Sequence, residues 1–178
     1  MQSLFLFLCF TAIAQAVPRV TDSRNNVTYI GQTRNTLDAF LGIRYGEDTR
    51  GRYRFQPPRP HTPPNNSVVN AQSYGSACVQ AKNDFQPLYL SNFSHMSEDC
   101  LNLNVIRPND TVPGSQLPVM FWIHGGSFWE GANQDITTQP DGMILESIAN
   151  ELPIMHVATN YRLGGMFAIC PQILAHTI

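Results

Sequence analysis

The chain has 178 residues, 43% of them hydrophobic, which is enough for one domain with a real core and excludes a disordered segment. Lysine and arginine number 11 against 13 acidic residues, a net charge of -2, so nothing favours nucleic acid or an anionic membrane surface as a partner. Charged residues are only 13% of the chain while proline, asparagine and threonine are plentiful, a profile that fits an extracellular, loop-rich protein.

The first element is an apolar run, Leu4 to Ile13, followed by small residues at Ala14 and Ala16. This pattern predicts a signal peptide over residues 1–16, cleaved after Ala16, and a secreted product. A membrane anchor would need about 20 apolar residues, more than this run offers, and no later segment reads as a membrane span. Cysteine usage agrees with secretion. Cys9 leaves with the leader, Cys78 and Cys100 form a natural pair in an oxidising compartment, and Cys170 is left over. Asn-x-Ser/Thr sequons stand at Asn26, Asn65, Asn92 and Asn109 in polar, turn-like surroundings, and about half are expected to carry glycans.

After the leader, "NVTYIGQT" and "TLDAFLGIRYG" read as two strands of a hairpin, rich in β-branched and aromatic residues. The proline-rich stretch from Arg54 to Asn66 can continue neither a sheet nor a helix, and is expected as exposed, extended chain. A PxxP ligand is the competing reading, weakened because the domains that read such segments are mostly intracellular. "LNLNVIRP", Leu101 to Pro108, alternates as a half-buried strand. "LPVMFWIH", Leu117 to His124, is continuously apolar, as a strand covered on both faces. "DGMILESIANE" opens on Asp141 as a plausible N-cap and carries Met143, Ile144 and Ile148 at helical spacing. "LPIMHVATNYR" is a further buried strand. Strand, loop, helix, strand is a parallel crossover, which places the chain in the α/β class with a mostly parallel sheet.

The sequence contains no Walker-type loop, no GxGxxG and no paired histidines at metal-ligand spacing, so neither metal nor cofactor is expected. His61 and His95 lie in polar loops and read as solvated surface, whereas His156 reads as a core histidine. The chemistry sits after the fourth strand. Gly125, Gly126 and Ser127 fall where a strand of an α/β sheet ends, and there backbone N–H groups face the ligand crevice. Glycine admits a substrate oxygen, so this trio reads as an oxyanion hole, and His124-Gly125-Gly126 matches the HGG-type loop of esterases. A tight turn that needs glycine only for its backbone angles is the alternative.

Five blocks, "FLGIRYG", "YRFQPPRP", "SEDCLNLNVIRP", "PVMFWIHGGSFWEG" and "NYRLG", occur in this order. Together they resemble the type-B carboxylesterase and lipase family, the cholinesterase-like branch of the α/β-hydrolases. The resemblance covers residues 17–165 as a partial domain and leaves 166–178 as an atypical tail. It implies an α/β-hydrolase fold with a mostly parallel mixed sheet, and a small-molecule or lipid ester as substrate. It also implies oxyanion donors at Gly125, Gly126 and Ser127, a disulfide between Cys78 and Cys100, and a buried ion pair between Arg54 and Glu98. Phe128 and Trp129 would line the active-site gorge or simply pack in the core.

Such enzymes carry their nucleophile in G-x-S-x-G, the nucleophile elbow, with an acid and a histidine later. None of these 178 residues forms that motif, and Ser127, followed two residues on by Trp129, is not assigned as a nucleophile. After "NYRLGG" the resemblance leads one to expect a glycine-rich loop and a long helix, whereas Met166 to Ile178 has neither. A misplaced exon boundary or a truncating change would account for the break. The expectation is an N-terminal portion that stops before the elbow, inactive alone, with much of "PIMHVATNY" facing solvent. The alternatives are a non-catalytic adhesion protein and a functionless product.

Overall fold

The computed structural model describes residues 17–81, 93 and 95–168. The predicted leader, the sequon at Asn92 and Cys170 therefore lie outside the described residues.

The amino-terminal strands divide between two sheets. β1 (Arg19–Asp22) and β2 (Val27–Ile30) pair antiparallel, and β5 (Val68–Asn70) joins β2 in parallel. One residue on, β3 (Gln32–Arg34) forms a tight hairpin with β4 (Leu37–Arg44) through Asn35 and Thr36, both at positive φ (49° and 63°), the turn type that matches strand twist. The expected hairpin is thus shifted: "NVTY" belongs to the small sheet, and "QTR" turns back on "LDAF". Gly31 makes the switch possible, because a Cβ there would sit 2.6 Å from the carbonyl oxygen of Ala39.

The main sheet has five strands in the order β3-β4-β8-β10-β9, with β8 at Asn102–Pro108, β9 at Val119–Ile123 and β10 at Met155–Thr159. It is mixed rather than mostly parallel. The β3/β4, β4/β8 and β8/β10 pairings are antiparallel, and the parallel pairing is β10 with β9, across the crossover. β6 (Ala77–Cys78) and β7 (Met96–Ser97) make a short parallel pair at the ends of the disulfide loop.

β8 alternates buried and half-buried residues as its sequence predicts. β9 does not behave as predicted. It stands at the sheet edge with all five residues exposed, between 39% and 61% of their free area, because no described layer covers it. β10 lies between β8 and β9 and buries His156 and Ala158, so the strand that faces solvent is β9, not "PIMHVATNY".

α1 (Asp141–Ala149) begins at the predicted residue, but Asp141 occupies its first turn and caps nothing. Its carboxylate instead accepts from Arg34 Nη2 (2.6 Å) and Asn35 Nδ2 (3.1 Å), which pins the helix start to the β3–β4 hairpin. Of the predicted apolar stripe only Ile144 is buried, joining Leu37, Ala39, Leu41 and Ile106 in the main core. A second core cluster gathers Cys78, Cys100, Leu101 and Leu163 with Tyr45 and Tyr161 against it, directly beneath the glycine loop. A one-turn helix, α2 (Gly165–Ala168), follows.

The proline-rich stretch runs extended and largely exposed, tied to the body by hydrogen bonds from Glu47 N–H to Arg59 O (2.8 Å) and from His61 N–H to Tyr45 O (3.0 Å). Among the described residues no helix is long and apolar enough to cross a membrane.

Candidate active site

Where β9 ends the chain turns sharply through His124 to Gly131, and among the described residues the carbonyls of His124, Gly125 and Gly126 are occupied while the leading N–H groups are not. Gly126 O accepts from Trp129 N–H (2.9 Å) and Glu130 N–H (3.2 Å). Gly125 O accepts from His124 Nδ1 (2.9 Å), and Tyr161 Oη donates to His124 O (2.7 Å). The N–H groups of Gly125, Gly126 and Ser127 meet no acceptor among the described residues. Gly125 and Ser127 are exposed and Gly126 is half-buried, so these N–H groups are open to water or to a ligand oxygen.

Glycine at 126 is a requirement of this geometry. Its φ is +105°, and a Cβ there would lie 2.0 Å from Glu130 O. The next two residues, Ser127 (φ +53°) and Phe128 (φ +63°), are held in the left-handed region, a strain of the kind found at binding loops.

The "NYRLG" block braces this turn from below. Tyr161 stacks on His124 with ring centroids 4.3 Å apart, and Phe128 meets the same ring edge-on at 6.0 Å. Gly164 N–H donates to Phe128 O (2.7 Å). His124 is buried, and burial pushes its pKa below the usual histidine value. A carbonyl only accepts, so the bond to Gly125 O places a proton on Nδ1. His124, stacked on Tyr161 and bonded to Gly125 O, supports the loop.

Phe128 and Trp129 are 59% and 70% exposed, so no core among the described residues covers them. Trp129 borders a cavity of about 560 Å³ together with Val79, Gln80, Glu130, Leu163 and Met166.

The remaining predicted residues fall as follows. Cys78 and Cys100 form a disulfide across a separation of 22 residues, a closure worth about 3 kcal/mol, and its sulfurs pack in the cluster beneath the turn. Arg54 and Glu98 form a two-pronged ion pair, with Arg54 Nε to Glu98 Oε2 at 2.8 Å and a second contact from Arg54 Nη2 to Glu98 Oε1. The pair is not buried as expected. Arg54 remains 47% exposed because the proline-rich strap lies on the surface, while Glu98 is 12% exposed at the foot of the disulfide loop. Asn26, Asn65 and Asn109 are exposed, as glycan acceptors must be. His61 is not simply solvated, since its Nδ1 bonds Glu47 Oε1 at 2.9 Å.

Two features escaped the sequence. A buried cluster of Asn102, Asn104, Asn133 and Asn160 joins four separate segments. Asn133 N–H donates to Asn160 Oδ1 (2.8 Å) and Asn104 Nδ2 to Asn133 O (3.1 Å), while Gly42 N–H, at an irregularity in β4, donates to Asn104 Oδ1 (2.9 Å). Gln80 is the second, and clamps Gly131 at the far end of the turn. Isolated asparagines and a glutamine carry no periodic signal. The only hint was that Asn102 and Asn104 alternate with apolar residues on a strand where polar side chains should face water.

Comparison with known proteins bears on the family and the fold. The carboxylesterase family model matches residues 25–168. A secreted lipase of Arthroderma benhamiae is 44% identical over 161 residues, covering 90% of this chain and 28% of the lipase. An inactive carboxylesterase-like protein of Byssochlamys spectabilis is 39% identical over 152 residues, covering 84% and 26%. Among solved structures, a PNB esterase superposes with a TM-score of 0.68 at 33% identity over 84% of this chain and 28% of that one. Aspergillus niger EstA gives 0.66 at 31% over 85% and 27%. The chain thus spans under a third of the length of these relatives. With a family match across most of its length and an α/β-hydrolase fold shared with solved esterases, the chain belongs to the carboxylesterase family.

Proposed function

We propose that this chain supplies the oxyanion hole of a secreted carboxylic-ester hydrolase that works by serine acyl transfer. The observation that carries the reading is the run of three N–H groups, Gly125 to Ser127, at the carboxyl end of β9, without an acceptor among the described residues while the neighbouring carbonyls are tied down. As a serine oxygen attacks an ester carbonyl, negative charge gathers on the carbonyl oxygen. Donors already fixed in place stabilise it by about 3 kcal/mol each. The residues here hold that oxygen, and the serine, acid and histidine come from sequence outside these 178 residues. The reaction needs no cofactor. The substrate is a small-molecule or lipid ester, in keeping with the secreted lipase relative.

Secretion is supported by the leader, the exposed sequons at Asn26, Asn65 and Asn109, and the Cys78–Cys100 disulfide. A second reading, a non-catalytic binding protein, draws on the 39% identity to an inactive carboxylesterase-like protein.

An assay on a short p-nitrophenyl ester separates them. The complete secreted protein is expected to hydrolyse it with inhibition by an organophosphate, while the 178-residue chain alone does not. A complete protein with no turnover on short or long acyl esters favours the second reading.

A further inference from the structure

The turn that carries the Gly125 to Ser127 N–H groups is fixed at its near end by Tyr161 and at its far end by a side chain from a different part of the chain. Gln80 Nε2 donates to Gly131 O (2.9 Å), and Gly131 N–H donates back to Gln80 Oε1 (2.8 Å), so one side-chain amide satisfies both backbone groups of a single residue. Gly131 is the residue on which the turn closes. A Cβ there would lie 2.4 Å from His124 Nδ1 and 2.8 Å from Gly125 O, so its backbone packs directly under the start of the turn. Any shift of Gly131 is therefore transmitted to Gly125 and to the N–H groups that follow. Gln80 is held in its own turn: Nε2 also donates to Cys78 O (3.1 Å), and Cys78 is bonded to Cys100.

We propose that Gln80 is a positioning residue for the oxyanion hole: through Gly131 it holds the Gly125 to Ser127 donors in place and ties them to the Cys78–Cys100 disulfide. It borders the cavity beside Trp129, but both its amide oxygen and its amide nitrogen are engaged by the backbone, so it acts through the loop and not on the substrate. The catalytic part of this inference rests on the ester-hydrolase reading, while the structural part does not.

The test compares the complete protein with Gln80→Ala and Gln80→Glu by steady-state kinetics and by hydrogen exchange of the peptide spanning residues 124–131. Gln80→Ala is expected to lower kcat about 10- to 100-fold with KM held within about twofold, since displaced donors weaken the transition state alone. Exchange in that peptide should speed while exchange in β8 and β10 stays as it was. Gln80→Glu keeps an acceptor for Gly131 N–H but lacks a donor, so it should fall between the two, and it serves as the folded comparison if the alanine variant does not fold. Wild-type kcat and exchange in a folded variant overturn the proposal, as does a rise in KM that accounts for the whole loss. If the complete protein hydrolyses no ester yet the variant still loosens residues 124–131, the clamp stands and the ester-hydrolase reading falls.

Discussion

At the scale of single residues, the glycine turn asks for backbone rather than side-chain chemistry. In the proposed oxyanion hole Ser127 contributes its N–H, and its left-handed φ of +53° is one that glycine adopts without strain. Ser127→Gly in the complete protein is therefore expected to retain ester hydrolysis and to raise stability by about 0.5–1 kcal/mol, read as an upward shift in Tm. Abolished turnover in a folded variant would assign chemistry to the hydroxyl instead. His124 and His156 give a second residue-level consequence. Burial lowers both pKa values from the free value of 6.5, so each binds a proton less readily folded than unfolded. Their contribution to stability is complete above about pH 6.5 and is lost as pH falls through the lower folded values. Tm of the complete protein should decline below pH 6.5, and His156→Leu, which removes one titrating group beside Ile106, should make the decline shallower. A slope unchanged by the substitution contradicts this account.

At the scale of elements, β9 shows how a strand can be apolar in sequence and bare in this structure. Val119 to Ile123 read as doubly covered because continuous apolar runs ordinarily are. The strand is paired with β10 on one side, and its other edge and both faces stay open among the described residues. Open apolar edges invite pairing between chains. The isolated 178-residue chain is expected to associate and to lack a sharp melt. Replacing both Phe121 and Ile123, exposed on one face of β9, with lysine should reduce its light scattering severalfold. Unchanged scattering in the double variant would mean that association starts elsewhere. Arg54 and Glu98 join the proline-rich strap to the segment just before Cys100, and Leu163 shares a core cluster with Cys78 and Cys100.

At the scale of the whole molecule, the parts of the site that rest on residue identity were legible in the sequence. Gly126 had to be glycine at φ +105°, the two cysteines had to pair, and α1 had to start near Asp141. What depends on contacts between distant segments was not. No local pattern says that Asn133 will meet Asn160 and Asn104, or that Gln80 will reach across to Gly131, because polar side chains read as solvated until the fold buries them. The shallow burial of Arg54 has the same origin, since exposure is set by where the strap lies. The central claim is that these residues hold the oxyanion while the nucleophile lies elsewhere, and covalent labelling reads that division directly. The complete secreted protein, treated with a fluorophosphonate and mapped by peptide mass spectrometry, is expected to carry one adduct, on a serine outside residues 1–178, with Ser127 unmodified. An adduct on Ser127, or on any other serine within these residues, would contradict it.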